Sequence, residues 1–150
     1  STANYIDKHL TADLPKAFIH SDIFASNVII NDKNTKATIM DFEEASYNYR
    51  LFDIAILTIS LCSKDGSIDF SRVSLIIKGY TSVTKITDEE KQALQPLIVY
   101  AAAGVALWRH KNFNYIAPDN NLKDSYLNMK NLADNVRDMP STYFKLLHEF

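Results

Sequence analysis

The spacing of apolar residues divides the chain into a strand-rich first part and a helical remainder. Two runs rich in β-branched residues, "NVIIN" and "ATIMDF", are separated by a polar turn. This pattern predicts a β-hairpin over residues 27 to 42. The run "AFIH" before the hairpin predicts a short strand, and "ANYIDKHL" near the start predicts a short helix.

From residue 51 onward the pattern becomes helical. The run "RLFDIAILTISLC" is apolar nearly all round, which predicts a buried helix. A second helix is predicted through "SRVSLIIKGY", and Asp69 has the right place and chemistry to cap its N-terminus. The intervening "KDGSIDF" is predicted to be a loop.

Two further helices are predicted toward the C-terminus. Thr87 and Glu90 have the spacing of a capping box, and Pro96 suits the first turn of a new helix over "PLIVYAAAGVALWRHKNF". The run "PDNNLKDSYLNMKNLADNVRDM" has apolar residues at helical spacing and predicts a last amphipathic helix. The predicted fold class is α+β, mainly α, with one small β-hairpin.

Length, composition and charge exclude several classes of function. With 150 residues and 17.0 kDa, we expect one domain spanning residues 1–150. A net charge of −2 and a pI of about 6.0 argue against a nucleic-acid partner, and no apolar run has the length of a membrane span. The single cysteine, Cys62, cannot close an internal disulfide, which favours a reducing, cytoplasmic location.

The run "FIHSDIFASNVIIN" interrupts apolar residues with an acid and an amide. Asp22 and Asn27 lie in one predicted loop, and the hairpin is expected to return Asp41 close to Asn27. Carboxylate and amide oxygens suit Mg²⁺ when phosphates and water complete its coordination, and a separate carboxylate can aim a hydroxyl and accept its proton. Taken singly, each residue fits an ordinary loop, and His20 fits a packing role. Their order and spacing favour phosphoryl transfer.

These residues resemble the catalytic segment of the kinase-like superfamily, in particular its small-molecule branch of aminoglycoside phosphotransferases, choline kinases and homoserine kinases. The likeness is carried by "HSD", by the asparagine of the loop and by "DFEEASYNYRLFDIA". It implies ATP and Mg²⁺ as cofactors. It also implies Asp22 as the catalytic base, Asn27 and Asp41 as Mg²⁺ ligands, and His20 as a structural residue of the loop.

Asp53 and Ser21 also bear on this resemblance. Asp53 is an acid on an otherwise apolar predicted helix, and an acid at this place in the family supports the catalytic loop. The alternative is a first-turn acid favoured by the helix dipole. Ser21 is a departure, because the small-molecule branch usually has Gly or Asn there.

The resemblance further implies a second lobe. A complete kinase of this superfamily has an N-terminal β-sheet lobe with a phosphate-covering loop and a Lys, whereas the glycines here, Gly66, Gly79 and Gly104, are scattered. The chain also lacks an initiating Met. We therefore expect a protein-kinase-like C-terminal lobe, a fragment of a longer chain without its N-terminal lobe, which does not phosphorylate a substrate alone.

Two alcohol acceptors remain open. "DFEEASYNYRLFDIA" resembles choline and ethanolamine kinases, whereas the later chain resembles type II homoserine kinase. A choline site needs an aromatic cage, for which Trp108 is a candidate. A homoserine site needs a cation or an amide for the carboxylate and an acid for the ammonium, for which Arg109 and Glu43 or Glu44 are candidates. Trp108 also fits a core role and Arg109 a helix C-terminal role. Homoserine is the favoured acceptor.

Two alternatives from other classes accompany this prediction. One is a kinase-like binding module without catalysis, and the other is a helical interaction domain whose acidic cluster is only structural. The predicted partners are a small-molecule alcohol and the missing N-terminal lobe, with no nucleic acid and no membrane. Oligomeric state stays open.

Overall fold

The computed structural model describes residues 1–11 and 13–145, and most of these residues lie in helices. The helices, in chain order, are α1 Thr2–His9, α2 Phe52–Leu61, α3 Phe70–Thr81, α4 Asp88–Lys111, α5 Tyr126–Asp138 and α6 Thr142–Lys145. The strands are β1 Lys16–Ile19, β2 Val28–Ile30, β3 Ala37–Ile39, β4 Ser46–Tyr49, β5 Ser63–Lys64 and β6 Ser67–Ile68. A mainly helical fold with small antiparallel sheets is therefore confirmed.

The strands form three separate two-stranded antiparallel sheets in the described part of the chain. The predicted hairpin is β2–β3, with Val28 opposite Ile39. The prediction of a single hairpin was wrong, because β1 pairs with β4 and β5 pairs with β6. The local pattern missed β1–β4 because its strands are far apart in sequence. The β5–β6 turn, however, has the Asp-Gly signal of a tight hairpin, with positive φ at Asp65 and Gly66.

The β1–β4 pair closes the base of the segment that carries the polar motif. Ile19 lies opposite Ser46, so the chain leaves this sheet at residue 20 and returns to it at residue 46. The loop and the β2–β3 hairpin therefore form one excursion, residues 20 to 45, whose two ends are held together by the β1–β4 pair.

A buried layer formed by α2 and α4 underlies this excursion. The helix α2 is buried along most of its length, as its composition predicted, and α4 packs against α2, α1, α5 and α6. Two predicted caps are confirmed. Asp69 accepts hydrogen bonds from the backbone N–H groups of Ser71 and Arg72, and Thr87 and Glu90 form the capping box of α4.

The predicted helix start at Pro96 was wrong, because α4 runs without a break from Asp88 to Lys111. The residues on both sides of Pro96, including Leu94 and Leu97, are buried core residues. Each such side chain contributes roughly 1.5–3 kcal/mol on burial, and together they outweigh the cost of about 3 kcal/mol for an interior proline. The last long helix was predicted over the run that begins at Pro118, but α5 begins at Tyr126, after turns in which Asn121 N donates to Asp119 Oδ1.

None of the helices within residues 1–11 and 13–145 combines the length and the apolar character that a membrane crossing requires.

A buried ion pair joins the end of β4 to the start of α4. Arg50 donates from Nε to Glu90 Oε1 and from Nη2 to Glu90 Oε2, both at 2.6 Å, and Nη2 also donates to the Lys85 carbonyl at 2.7 Å. The Glu90 side chain is 2% exposed and that of Arg50 25%. Burial alone would raise the pKa of the Glu90 carboxyl, but hydrogen bonds from Arg50 and Thr87 outweigh it and lower the pKa.

Replacing Arg50 by Met should destabilise the fold by about 3 kcal/mol, because it leaves the buried Glu90 carboxylate without its counter-ion. Because the folded-state pKa of Glu90 is lowered, the stabilisation that this group provides is present above about pH 4.5 and is lost as the pH falls. Chemical denaturation of both proteins between pH 7 and pH 3 tests this.

Arg72→Met is the matched control, because the Arg72–Asp69 pair is exposed at 67% and 49%. It should change the free energy of unfolding by less than about 1 kcal/mol. Equal effects of the two variants would contradict the structural role of the Arg50–Glu90 pair.

Cys62 should be almost unreactive in the folded chain. Its side chain is buried, and burial raises the pKa of the thiol to about 11, with Arg72 lowering it and Asp69 raising it to a smaller extent. At pH 8 a disulfide reagent should label it at least about 100-fold more slowly in the native than in the unfolded chain, since the thiolate is the reacting form. Equal labelling rates would place Cys62 outside the core.

Candidate active site

The buried helix α2 holds the polar loop at two points. The Asp53 carboxylate, in the first turn of α2, accepts hydrogen bonds from the backbone N–H of His20 at 2.9 Å and of Ser21 at 2.8 Å. Two turns further on, Ser60 Oγ accepts a hydrogen bond from the Ala25 backbone N–H at 3.1 Å. Residues seven apart lie on one face of a helix, so one face of α2 supports the loop at both of its ends.

The backbone conformation of Ser21 explains why the small-molecule branch usually has Gly or Asn at this position. Ser21 has a φ of 71°, in the left-handed region that Gly and Asn adopt more readily than Ser. Its Oγ lies 2.9 Å from Ser46 Oγ, across the base of the excursion. The departure from the family is therefore accompanied by a hydrogen bond that Gly could not make.

His20 connects the loop to the end of β3. The Asp22 backbone N–H donates to His20 Nδ1 at 3.2 Å, so Nδ1 is an acceptor and the ring proton lies on Nε2. His20 Nε2 then donates to the Met40 carbonyl at 2.8 Å, and the imidazole contacts the Phe42 ring with centroids 4.5 Å apart. One imidazole thus bridges the segment of Asp22 and the segment of Asp41.

The structure brings Asp22 and Asn27 into direct contact. Asn27 Nδ2 donates to Asp22 Oδ2 and to the Asp22 carbonyl, both at 2.9 Å. The Met40 N–H donates to the Asn27 carbonyl at 2.9 Å, so Asp41 follows immediately after a residue that is hydrogen-bonded to Asn27. Asp41 is exposed and has a φ of 64°.

The oxygen donors of this site fit a magnesium ion that is shared with phosphate. Because Asn27 Nδ2 faces Asp22, its Oδ1 is left with one long hydrogen bond, from Ser26 Oγ at 3.3 Å. No group of three or more His, Cys, Asp and Glu side chains within the described residues is arranged to hold a metal. An amide oxygen and a carboxylate leave most coordination positions to phosphate oxygens and water, which is how Mg²⁺ is usually held.

The predicted acceptor-binding residues lie on two different parts of the fold. Glu43 and Glu44 are exposed in the turn after Phe42. Trp108 is 60% exposed near the end of α4 and contacts Phe113, and Arg109 donates to the Ser125 carbonyl. No hydrogen bond or ring contact in the described chain joins these α4 residues to the loop, and their role in binding stays a prediction.

Sequence reasoning missed Ser46 and Ser60, whose hydroxyls contact the loop from β4 and α2. Ser46 lies in "DFEEASYNYRLFDIA" and Ser60 in "RLFDIAILTISLC", but neither was given a role there, and both serines are far in sequence from the residues that they contact. The strand signal of "SYNY" and the helical register between Asp53 and Ser60 were the available indications.

Comparison with known proteins finds relatives in one family. Residues 2–73 match the model of the phosphotransferase enzyme family. The predicted family resemblance is confirmed. The chain is similar to the homoserine kinases of Rhizobium meliloti (strain 1021), 36% identical over 66% of the chain, and of Gluconacetobacter diazotrophicus, 39% identical over 65%. It is also similar to that of Zymomonas mobilis subsp. mobilis, 32% identical over 77%.

The chain spans about a third of the length of these relatives. The matched regions cover 30% of the first two homoserine kinases and 36% of the third. The phosphotransferase segment, residues 2–73, includes the loop, the hairpin and α2, and so contains every residue of the Asp22–Asn27–Asp41 constellation and its support.

Replacing Asp53 by Asn should loosen the loop. Asn has one acceptor where the carboxylate has two, and its amide group faces a backbone N–H, so the loss should be about 1.5–3 kcal/mol. Hydrogen exchange of the His20 and Ser21 amides, measured by NMR, should accelerate.

Asp69→Asn is the control, because it alters the N-terminal cap of α3 and leaves these two amides untouched. Unchanged exchange at His20 and Ser21 in Asp53→Asn would show that the carboxylate does not hold the loop.

Proposed function

We propose that this chain is the catalytic lobe of an ATP- and Mg²⁺-dependent kinase that phosphorylates the hydroxyl of a small molecule. The observation that carries the proposal is the contact between Asn27 Nδ2 and Asp22 Oδ2, together with the hydrogen bond from Met40 N to the Asn27 carbonyl. These bonds join the side chains of Asp22 and Asn27 and hold the residue before Asp41 against Asn27, in a segment that matches the phosphotransferase family.

Asp22 is the residue that activates the acceptor. Its Oδ2 is held by Asn27 Nδ2, which leaves Oδ1 to accept a hydrogen bond from the acceptor hydroxyl and then its proton. Aiming the hydroxyl in this way contributes to the rate chiefly by orientation, because phosphoryl transfer needs the attacking and leaving oxygens in line.

Asn27 and Asp41 are the proposed metal-binding residues. Asn27 Oδ1 and the Asp41 carboxylate would hold Mg²⁺, which neutralises charge on the phosphates of ATP when bound. His20 keeps the two segments in register through its bonds to Asp22 N and the Met40 carbonyl. Asp53 binds the loop to α2, so the positions of the proposed base and metal ligands are fixed by a buried helix.

A further part of the kinase is proposed to cover the two sheets beside this site. Apolar side chains on them are strongly exposed, including Phe18 at 86%, Ile29 at 54% and Tyr47 at 65%, which is unusual for strands unless another surface packs on them. The relatives are about three times longer than the matched region. We therefore propose an N-terminal lobe that supplies the phosphate-covering loop and a Lys, without which these 150 residues do not turn over ATP.

Homoserine is the proposed acceptor. The relatives given above are all named homoserine kinase. The motifs in the sequence also favoured homoserine as the acceptor. Choline or ethanolamine is the second candidate, since the exposed indole of Trp108 is a group that can face a quaternary ammonium. A cytoplasmic location is part of this proposal and rests on the single cysteine.

In the complete kinase, Asp22→Asn should lower kcat for homoserine by about 10²–10⁴-fold, the usual contribution of a general base. Asp41→Asn should instead raise the Mg²⁺ concentration needed for half-maximal rate. Steady-state rates with homoserine, choline and ethanolamine at several Mg²⁺ concentrations test both, and circular dichroism checks that each variant is folded.

Asp32→Asn provides a matched control, since Asp32 is an exposed acid in the turn between β2 and β3. It should leave both kcat and the Mg²⁺ requirement unchanged. Full activity of a folded Asp22→Asn variant would overturn the assignment of the base, and a wild-type preference for choline would replace homoserine as the acceptor.

A further inference from the structure

Arg109 differs from the other three arginines of the chain. Each of the others lies within 3.4 Å of a carboxylate oxygen, in the pairs Arg50–Glu90, Arg72–Asp69, Arg137–Asp134 and Arg137–Asp138. In the described chain the guanidinium of Arg109 makes one hydrogen bond, from Nη1 to the Ser125 carbonyl at 3.3 Å. A guanidinium has five N–H donors, so most of this group's capacity is unused.

Arg109 also lies on the core side of α4. It follows Ile98 and Ala102 at helical spacing, and both of these residues are fully buried. Burial lowers the pKa of Arg109, which is the effect of removing a cation from water without a counter-charge. The C-terminal end of α4 offsets only part of that cost, because a helix dipole is worth a fraction of the desolvation of an ion.

Two more polar groups beside Arg109 lack partners among residues 1–11 and 13–145. Ser125 Oγ and His110 Nδ1 are buried, and neither has a hydrogen bond to this part of the chain. Ser125 supplies the carbonyl that binds Arg109, and its hydroxyl does not cap α5. His110 is the next residue of α4, and its ring contacts Tyr126 at 4.6 Å. Buried polar atoms without partners are rare in folded proteins, and here two of them flank an unpaired cation.

The backbone at this corner is also irregular. The chain leaves α4 through a π-helical turn, Asn112–Ile116, a conformation that is uncommon and is often found at functional sites. Asn114 Nδ2 fixes the turn by donating to the His110 carbonyl at 3.1 Å and to the Lys123 carbonyl at 2.9 Å. The end of α4 and the start of α5 are therefore held together around Arg109.

We propose that the corner between the end of α4 and the start of α5 is a carboxylate-binding site, with the Arg109 guanidinium as its main contact and Ser125 Oγ as a second donor. One guanidinium and one hydroxyl match the single charge and paired oxygens of a carboxylate. The proposal concerns binding and stands apart from phosphoryl transfer at Asp22. The carboxylate belongs either to an amino-acid acceptor or to a separate ligand.

The only tryptophan of the chain, Trp108, lies next to Arg109 and reports on this corner by its fluorescence. Acetate and homoserine should each change that fluorescence saturably and raise the Tm of the 150-residue chain, because both bind the folded state. Aminopropanol, which is homoserine without its carboxylate, should do neither at equal ionic strength. No response to either carboxylate by both methods, or an equal response to aminopropanol or inorganic phosphate, would overturn the proposal.

Arg109→Met should weaken carboxylate binding by at least about tenfold, because it removes the charged donor and keeps the apolar stem. Arg72→Met, at an exposed ion pair, should leave binding unchanged. Without ligand, Arg109→Met should unfold at the same Tm as the wild type or higher, since it removes a half-buried charge that has no counter-ion in the described chain. Undiminished binding, or a loss of Tm as large as that of Arg50→Met, would instead assign Arg109 a structural role.

Kinetics of the complete wild-type kinase identify the source of the carboxylate. Competitive inhibition by acetate against homoserine assigns the site to the acceptor, whereas acetate binding without competition assigns it to a separate ligand. Neither result depends on the base, because loss of turnover in Asp22→Asn tests phosphoryl transfer and leaves carboxylate binding intact.

Discussion

The hydrogen bonds from the backbone N–H groups of His20 and Ser21 to the Asp53 carboxylate are the constraint on which the site depends. They fix the first two residues of a loop that forms only one short 3-10 turn, Ala25–Asn27, before β2 begins. Since Asp53 belongs to a buried helix, the loop takes its position from the least deformable part of the chain. A charged acceptor is suited to this task because bonds to an ionised group are shorter and stronger than neutral ones.

From this anchor the remaining contacts follow as a connected chain. Asp53 orients His20, whose ring accepts from Asp22 N and donates to the Met40 carbonyl. Met40 N in turn binds the Asn27 carbonyl, and Asn27 Nδ2 returns to Asp22. The network closes on itself, so displacing one member disturbs the others, and apportioning its energy among single bonds has little meaning. Ser21 and Asp41 have left-handed backbone conformations, and they lie just after the ends of β1 and β3. The hydrogen bonds of the network offset the strain of these two conformations.

Local signals were predictable from the sequence, and long-range ones were not. The Asp69 cap, the Thr87–Glu90 box and the β2–β3 hairpin each depend on residues a few positions apart, and all three are present. The β1–β4 pairing depends on residues about thirty positions apart. The unbroken helix at Pro96 depends on burial against other helices, which overrides local propensity. Within the site, the spacing of Asp22 and Asn27 in one loop was sufficient to expect their contact, whereas the serine contacts from β4 and α2 required the folded chain.

The two ends of α4 differ in whether a charge that is removed from water has a counter-ion. At the N-terminal end Glu90 accepts hydrogen bonds from Arg50 and from the Thr87 N–H, so both charges of the Arg50–Glu90 pair have a partner and the pair joins β4 to the helix. Toward the C-terminal end, 19 residues after Glu90 and so about 28 Å along the helix at 1.5 Å per residue, Arg109 has one carbonyl and no acid within the described chain. A fold that pairs its other arginines has no need of an unpaired cation for stability, because an apolar side chain of similar length would cost less. A cation held at such a cost is expected where a ligand supplies the missing charge, since functional residues are commonly kept at the expense of stability. The same helix therefore serves two purposes, with its first turn stabilising the fold and its last turn available for recognition.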